Sequence, residues 1–562
     1  MARKGCKYKL NSKTMRHRKV KNLLASALAL FCLSAAISAQ NRNVDQKSTA
    51  YRADKYLNGL VKEDRFSGAV LLARGGKIVL SRGYGLANRE TKTPNSPRTK
   101  IRLGSLTKQF TAAAILLLRE RGKLRTSDSI CKYVSDCPGA WEPVTIHHLL
   151  THTSGIPSYT GLPDFRKLAV YPATPTELIA RFRDKQLEFA PGKEFSYNNS
   201  GYVLLGHVVE KVSGNSYAEF LRENVFRPLG MNDTGYDEND AVIENRADGY
   251  TPTPRGIRRA PYIDMTVPFA AGGLYSTAED MYLWAKALAA GKLLSKESLD
   301  AMHTPFKNGY GYGVFIGEQY GLRNITHGGG IEGASTLLSR FPNEDAVVIV
   351  LSNIDSVFTD GYGKRLGGVL LADKVNLPGV INVPARELRQ FEGRYQVREE
   401  APTEDIFLVG DRLRVKVSGG GAMSLEPVAR DEFVVGDDFE ARYTFTRDDK
   451  GKVNAAVFKF GKTERLLKRI TPPAPSLVGN TTFRLKGYEN ARFVNLAGSL
   501  NDWKPSTIMC GREGAEWVCR VDLKPGKYLY KFIVDGDWIT DPGNPRTEGD
   551  ENGNNNSVML VP

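Results

Sequence analysis

The 562-residue sequence predicts an α+β fold followed by two smaller all-β domains. Strand-like apolar segments stand early in the chain, in "FSGAVLLARGGKIVLSRGYGLAN", and return after residue 309 in "GYGYGVFI", "STLLSRFP" and "AVVIVLSN". Helical patterns dominate between them, from Leu106 to about Leu299. A sheet assembled from both ends of a domain around a helical middle is an α+β arrangement. After Arg386, short alternating segments replace the helical pattern, which predicts antiparallel β structure.

The N-terminal segment predicts export. Basic "RHRKVKN" precedes the apolar run Leu23–Ala39, which ends in small residues. This order is typical of a secretory signal peptide with a cleavage position near residue 40. An uncleaved anchor is the alternative, because the run is only slightly shorter than a membrane span; Met15 is an alternative start. We expect a periplasmic or secreted protein that meets the membrane only during export.

The charge of the chain argues against nucleic-acid binding. The formal net charge is +16, but nine Lys/Arg and no acidic residues fall in residues 1–22, so the chain without its leader carries about +7. No basic run is interleaved with aromatic residues, as a nucleic-acid surface would require.

The cysteines that remain after the leader form two close pairs, Cys131 with Cys137 and Cys510 with Cys519. In an oxidising compartment such pairs predict two local disulfides. Neither pair has C-x-x-C spacing, so we expect no metal site, and no cofactor is predicted.

Composition changes along the chain predict the domain boundaries. We expect a signal peptide over 1–40, the α+β domain over 41–375 and a small antiparallel β domain over 386–470. A stiff Pro-rich linker containing "TPPAPS" follows over 471–479, and an immunoglobulin-like β-sandwich occupies 480–562.

The stretch "RLGSLTKQF" carries the first candidate site. Ser105 precedes a helix that starts near Leu106, and Lys108 lies one turn further along the same face. A serine hydroxyl becomes a nucleophile when a base takes its proton. A lysine can be that base if burial lowers its pKa. The alternative is that Ser105 caps the helix and Lys108 is solvated.

Two further stretches offer polar side chains beside apolar segments. "FSYNNSGYVLLGHVV" presents Tyr197 and Asn199 just before a helix, although an asparagine there can also serve as a helix cap. "NITHGGGIEG" places His327 before three glycines, where the backbone must approach something closely or adopt unusual dihedral angles. His148 and His152 are spaced i, i+4, but no acidic residue accompanies them, and we interpret both as structural.

Together these motifs resemble those of the serine β-lactamase/penicillin-binding-protein superfamily. The order S-x-x-K, H-L-L-T-H-T-S-G, Y-x-N-x-G-Y and H-x-G ahead of a strand is similar to the branch of class C β-lactamases, D-aminopeptidases, D-Ala-D-Ala carboxypeptidases and related esterases, over about Lys55–Ala372. The resemblance implies a five-stranded antiparallel sheet with a helical lobe.

The resemblance also implies roles. Ser105 would be the acylated nucleophile and Lys108 its proton acceptor. Tyr197 would pass the proton to the leaving group and later activate water, while Asn199 would bind the substrate amide or position Lys108. The N–H groups of Ser105 and Gly330 would form the oxyanion hole.

His327 departs from the penicillin-recognising pattern, which has a lysine at that position. A histidine is largely neutral at pH 7 unless an acidic neighbour raises its pKa. A neutral histidine disfavours recognition of a substrate carboxylate and, with it, efficient β-lactam hydrolysis.

The C-terminal stretch resembles the glycogen-recognition module of the AMP-activated kinase β subunit, a family 48 carbohydrate-binding module, over about Thr482–Val561. The motifs are "GSLNDW", "LYKFIVDGDW" and "NGNNNSVMLV". The resemblance assigns sugar contacts to Trp503, Lys531, Trp538 and Asn556. Alternatively these residues brace the sandwich, and the domain only packs on its neighbours.

We therefore predict an exported serine hydrolase that cleaves a small-molecule ester, amide or peptide through a Ser105 acyl-enzyme. The second ligand that the C-terminal resemblance implies is α-glucan. One alternative is a D-Ala-D-Ala carboxypeptidase or β-lactamase acting on cell-wall peptide or β-lactam. Another is a catalytically silent binding protein.

Overall fold

The computed structural model describes residues 48–562 apart from 254–255, 356, 358, 376, 399–400, 418–421, 437, 462, 490 and 550–554. The predicted signal peptide, its cleavage position and the alternative start Met15 lie outside the described residues. Within the described part of the chain, no helix combines the length and the apolar character needed to cross a bilayer.

The helices concentrate before residue 371, in agreement with the predicted helical middle. They are α1 (48–62), α2 (Thr107–Glu120), α3 (Ile146–Leu150), α4 (Phe165–Leu168), α5 (Pro175–Arg183), α6 (Asn199–Ser213), α7 (Tyr217–Leu221), α8 (Arg227–Leu229), α9 (Phe269–Gly272), α10 (Ala278–Ala290), α11 (Lys296–Met302), α12 (Thr359–Leu370) and α13 (Ala385–Leu388).

The strands of the same part of the chain form one large sheet and several small ones. They are β1 (Gly68–Arg74), β2 (Lys77–Tyr84), β3 (Leu86–Asn88), β4 (Thr93–Pro94), β5 (Ile101–Arg102), β6 (Gly235–Tyr236), β7 (Tyr250–Thr253), β8 (Gly256–Arg259), β9 (Leu274–Ser276), β10 (Phe315–Gln319), β11 (Leu322–Ile331), β12 (Ala334–Phe341) and β13 (Ala346–Ser352).

The large sheet has the order β10-β11-β12-β13-β1-β2, and all its neighbours are antiparallel. The resemblance implies five strands, whereas six are present. Alternate residues of β1 supply two cores: Ala69 and Leu71 face the large helical lobe, while Val70 and Leu72 face the cluster that contains α1 and α12. This two-sided burial explains why β1 is continuously apolar.

The segment after α13 closes into an eight-stranded antiparallel barrel. Its strands are β14 (Gly393–Gln396), β15 (Glu404–Val409), β16 (Arg412–Val417), β17 (Ala422–Ala429), β18 (Glu432–Val435), β19 (Asp438–Arg447), β20 (Val453–Phe460) and β21 (Thr463–Ile470). The first and last strands pair with each other, with Arg394 opposite Ile470. The alternating pattern predicts the strands but not the closure of the barrel.

The C-terminal segment forms two sheets around a shared core that includes Phe483, Trp517 and Phe532. The strands are β22 (Thr481–Leu485), β23 (Val494–Gly498), β24 (Ile508–Met509), β25 (Gly511–Glu513), β26 (Glu516–Val521), β27 (Gly526–Val534), β28 (Asp537–Ile539), β29 (Thr547–Gly549) and β30 (Asn555–Val561). One sheet has the order β22-β26-β25; the other has the order β24-β23-β27-β30-β29, with β28 paired to β27. The predicted sandwich is confirmed.

Both predicted disulfides are confirmed: Cys131 is bonded to Cys137 and Cys510 to Cys519. The second bond lies in the core of the sandwich, where both cysteines are fully buried. It joins the segment before β25 to β26 and fixes that edge of the smaller sheet.

Candidate active site

Ser105 lies in a 3₁₀ turn, Gly104–Leu106, that leads directly into α2. Its side chain does not cap the helix, and neither the turn nor α2 has a side-chain cap. The turn packs against β11, beyond the residues of that strand that pair with β10. Gly104 has a φ of +53°, and a Cβ added there would lie 2.9 Å from the Gly330 nitrogen. Glycine is required because the two backbones touch at this point.

Lys108 is fully buried and makes three polar contacts. Its Nζ lies 3.0 Å from Ser105 Oγ, 2.8 Å from Asn199 Oδ1 and 2.9 Å from the Ala271 carbonyl oxygen. No carboxylate forms an ion pair with Lys108 in the described part of the chain, and burial lowers the pKa of Lys108 to about 7.

These contacts orient the amine. The Ala271 carbonyl can only accept a hydrogen bond, and so can the Asn199 oxygen. A neutral amine therefore donates its two N–H bonds to them, and its lone pair points at the Ser105 hydroxyl. This arrangement allows Lys108 to accept a proton from Ser105.

Tyr197 lies just before α6, and its side chain interacts with that of Ser105. Lys108 Nζ lies 4.9 Å from the centre of the Tyr197 ring. Burial raises the pKa of Tyr197, while the interaction with Ser105 opposes this shift. The phenol is therefore protonated at neutral pH and can donate a proton.

Asn199 is the first residue of α6, but the helix cap is its neighbour, Asn198, whose side chain accepts from the Gly201 N–H. This leaves the Asn199 amide free to bridge two groups. Its oxygen accepts from Lys108, and its nitrogen donates to Thr160 Oγ1 at 3.0 Å. Asn199 thus holds Lys108 in place.

His327 faces the aromatic interior rather than Ser105. Its Nδ1–H donates to the Gly328 carbonyl at 2.6 Å, and the Tyr310 hydroxyl donates to its Nε2 at 3.0 Å. The residue is 3% exposed. Burial, and secondly the charge of Lys108, lower the pKa of His327 to about 3, so the ring is neutral at physiological pH.

Sequence reasoning missed two contributors to this arrangement and did not foresee what a third, His152, supports. Tyr310 fixes His327, the Ala271 carbonyl binds Lys108, and the His152 ring lies 4.3 Å from the Tyr197 ring as its support. His152 also accepts the Asn198 N–H, which confirms its interpretation as structural. A backbone carbonyl leaves no signal in a sequence, whereas the "THTSG" stretch does mark His152.

Ser105 opens into a cleft of about 620 Å³ that is also lined by Asn199, Ala271 and Gly330. A Cβ added to Gly330 would meet no atom within 4 Å, so the strand edge is open there to an extended substrate. The ionisable groups of the cleft lining are Tyr159, Arg166, Tyr262, Glu332 and Asp355. With two carboxylates and one exposed cation, this lining is not a dedicated anion site.

In the C-terminal sandwich, the Trp503 and Trp538 rings lie 6.2 Å apart, and both are half-buried. Trp538 is paired with Ile533, two residues after Lys531, so Lys531 and Trp538 project from the same face of the sheet. Asn556 is only 1% exposed. It precedes Ser557, the partner of Tyr530, so it projects from the same face of the sheet as Lys531.

The described residues contain no group of three or more His, Cys, Asp or Glu side chains that could hold a metal ion. His148 instead completes a capping box with Thr145 at the start of α3.

Residues 50–368 match the sequence profile of the β-lactamase family. The chain belongs to this family and is a serine hydrolase of the β-lactamase/penicillin-binding-protein superfamily. Residues 480–562 match the profile described as the glycogen recognition site of AMP-activated protein kinase.

Particular relatives carry penicillin-binding names. The chain is 33% identical over 318 residues to the putative penicillin-binding protein PbpX of Bacillus subtilis, covering 56% of this chain and 77% of that protein. It is 28% identical over 410 residues to penicillin-binding protein 4* of the same organism, covering 66% of this chain and 89% of the relative. The octameric penicillin-binding protein homologue of Pyrococcus abyssi matches with a TM-score of 0.54 and 29% identity, covering 74% of this chain and 99% of that structure.

Proposed function

We propose that the protein is an exported hydrolase that cleaves an ester or amide through an acyl-enzyme at Ser105. The observation that carries this proposal is the contact between Lys108 Nζ and Ser105 Oγ at 3.0 Å, made by a fully buried lysine whose pKa is about 7. About half of such lysines are neutral at pH 7 and can act as a base.

The acylation step follows from the hydrogen bonds. Lys108 accepts the Ser105 proton as Oγ attacks the substrate carbonyl. The oxyanion that forms is stabilised by the N–H groups of Ser105 and Gly330. The tetrahedral intermediate collapses when Tyr197 donates its proton to the leaving group, and Lys108 returns a proton to Tyr197.

In deacylation the proton transfers among Ser105, Lys108 and Tyr197 run in the opposite direction. A water molecule takes the place of the leaving group and gives a proton to the Tyr197–Lys108 pair. Its oxygen attacks the acyl carbonyl, the bond to Ser105 breaks, and Ser105 regains its proton. The products are a carboxylic acid and the alcohol or amine that left first.

The neutral His327 supports an ester or amide without an essential carboxylate beside the scissile bond. A D-Ala-D-Ala carboxypeptidase or β-lactamase is the second candidate, and the similarity to penicillin-binding proteins favours it. Labelling with a fluorophosphonate and with a fluorescent penicillin separates the candidates.

We expect the fluorophosphonate to label the wild type and Ser81→Ala, a serine control on β2, but not Ser105→Ala. Penicillin labelling with turnover would favour the second candidate. If neither reagent forms a Ser105-dependent adduct, the protein is a silent binding protein and the enzymatic proposal is wrong.

Export is proposed from the leader sequence, and the two disulfides are consistent with an oxidising compartment. N-terminal sequencing of the secreted or periplasmic protein should start near residue 41. Recovery of the intact leader in the cytoplasm would contradict the proposal.

We further propose that the sandwich binds α-glucan through Trp503, Trp538, Lys531 and Asn556. The paired half-buried rings support this proposal, because aromatic faces can stack on apolar sugar faces. In a glycogen-affinity gel, Trp503→Ala/Trp538→Ala should lose retardation, whereas Leu560→Ala, at an exposed apolar residue of β30, should keep it. Equal migration of all three proteins with and without glycogen would exclude sugar binding.

A further inference from the structure

A second cavity, of about 470 Å³, lies on the helix-facing side of the large sheet. It is bounded by α10, by the end of α11 and by β11, β12 and β13. Arg323 and Arg340 line it together with His303. Arg323 precedes His327 by four residues on β11, a spacing of about 13 Å along a strand, so this cavity is separate from the Ser105 cleft.

Arg340 is a buried cation in the wall of this cavity. It is 6% exposed, and its Nη2 donates to His303 Nε2 at 2.7 Å. Among the described residues, no carboxylate forms an ion pair with Arg340 or with Arg323. A guanidinium carries five N–H donors, so the bond to His303 leaves most of them available to the cavity.

His303 does not neutralise this charge. Burial, together with the charges of Arg340 and Arg323, lowers the pKa of His303 to about 3. Burial and the charge of Arg323 lower the pKa of Arg340 to about 10, which leaves the guanidinium charged at neutral pH.

Two carboxylates also line the cavity, but among the described residues neither forms an ion pair with Arg340 or Arg323. Asp300 pairs with Lys296 at 2.5 Å and is 62% exposed, and Asp345 is exposed in the turn before β13. A buried charge without a partner is costly, and an anionic ligand would compensate it.

Apart from Thr304, the remaining residues of the wall are apolar. Leu288 and Ala289 of α10, with Ile325 and Phe341 of the sheet, face the same space as Arg340. A ligand bound in this cavity would therefore contact a cation at one end and apolar side chains along its length.

We propose that this cavity binds an organic oxyanion, a carboxylate or phosphate group on a short apolar chain. Arg340 holds the oxyanion through its planar donor fork, and Arg323 contributes charge at the rim. The apolar part of the ligand packs on α10.

Isothermal titration of the mature chain tests this proposal, with hexanoate, hexyl phosphate, inorganic phosphate and neutral hexanol as probes. We expect saturable binding of hexanoate or hexyl phosphate and none of hexanol. Arg340→Met should weaken the binding by about 10- to 100-fold, because it removes charge-assisted hydrogen bonds. Ser105→Ala and Arg386→Gln, an exposed arginine outside the cavity, should bind as the wild type does.

Arg323→Gln is the second variant in case Arg340→Met does not fold. Because Arg323 is exposed, this change spares the core, and we expect an affinity loss of about threefold. The proposal is overturned if neither organic anion binds saturably, if neither arginine variant weakens binding, or if Ser105→Ala abolishes it. Equal affinity for inorganic phosphate and hexyl phosphate would overturn the apolar part of the assignment.

Discussion

At the scale of single residues, burial controls the charge of two groups of the candidate site, Lys108 and His327. Lys108 is held by two acceptor oxygens and has a pKa of about 7. His327 lies among aromatic rings and has a pKa of about 3. The site therefore contains a titratable base and a neutral histidine, instead of two fixed cations.

The first prediction concerns the pH dependence of hydrolysis. Because protonated Lys108 cannot accept a proton, kcat/KM for p-nitrophenyl butyrate should rise with pH, and the midpoint of this rise should lie near pH 7. Well below pH 7 it should fall about tenfold per pH unit. His327 adds no inflection between pH 4 and 6, because it is already neutral there.

Two variants control this pH profile. Lys108→Arg should lose activity at every pH, by about 10²- to 10⁴-fold, because a guanidinium does not deprotonate. Tyr197→Phe should lower the rate but leave the midpoint of the pH profile near pH 7. If the midpoint in the wild type were near pH 4 to 5, the base would instead be a carboxylate.

The second prediction tests the bond between Tyr310 and His327. Tyr310→Phe leaves the buried Nε2 without its donor, which should lower the free energy of unfolding by about 1–3 kcal/mol. Urea unfolding measures the loss. Tyr171→Phe, at a tyrosine that is 59% exposed, should change stability by less than about 0.5 kcal/mol. Equal stability of the two variants would mean that the bond does not contribute.

At the scale of secondary-structure elements, the site depends on contact between a 3₁₀ turn and a strand edge. The Leu103 carbonyl accepts a hydrogen bond from Thr336 Oγ1 of β12 at 2.7 Å. Gly329 of β11 packs directly on the same carbonyl. The neighbouring residues Gly329 and Gly330 have different surroundings. Gly329 is enclosed by protein, whereas Gly330 faces open space.

The third prediction follows from this difference. In Gly329→Ala the new methyl overlaps the Leu103 carbonyl oxygen and Thr336 Oγ1, so β11 must move from the Ser105 turn. We expect a loss of about 1–3 kcal/mol in unfolding free energy, together with a loss of hydrolysis. Gly317→Ala, on the exposed edge strand β10, meets no atom within 4 Å and is the matched control.

Gly330→Ala should fold normally and change KM or kcat, because its methyl enters only the cleft. If Gly329→Ala were as stable and as active as Gly317→Ala, the turn and the strand would not be held by this contact.

At the scale of the whole molecule, the barrel contacts both of its neighbours. On the hydrolase side, Lys364 pairs with Asp438 at 2.6 Å, and the Tyr320 N–H donates to Glu440. On the sandwich side, Lys416 pairs with Asp537 at 2.7 Å. Asp537 directly precedes Trp538, so the barrel borders the proposed sugar site.

The fourth prediction tests the junction between barrel and sandwich. Arg394 and Asp405 form an ion pair with both side chains 4% exposed, and the Arg394 guanidinium also covers the Phe493 ring of the sandwich at 4.4 Å. Arg394→Met leaves Asp405 buried and unpaired, which should cost about 3–5 kcal/mol. We expect faster hydrogen exchange in β14 and β15 and faster proteolysis in the Thr471–Ser476 linker.

Arg386→Met, at an arginine that is 85% exposed, should behave as the wild type does. Arg394→Met/Asp405→Leu should regain most of the stability, because both charges are removed together. Exchange rates in Arg394→Met that match those of Arg386→Met would contradict a structural role for the pair.

Much of the fold and of the candidate site could be predicted from local patterns in the sequence. The apolar alternation and the helical middle predict the α+β class, because the hydrophobic periodicity of each helix or strand depends only on its own residues. The close cysteine pairs predict the disulfides for the same reason. Ser105 and Lys108, one helical turn apart, are brought together by helix geometry alone.

The sequence by itself therefore determined the fold class, the disulfides and the identity of the motif residues. Only the tertiary structure decided their chemical states, because a pKa depends on surroundings supplied by distant segments. Lys108 receives its acceptors from residues 199 and 271, and His327 receives its donor from Tyr310. Closure of the barrel and the burial of Arg340 likewise depend on contacts between residues far apart in the chain, which leave no local pattern.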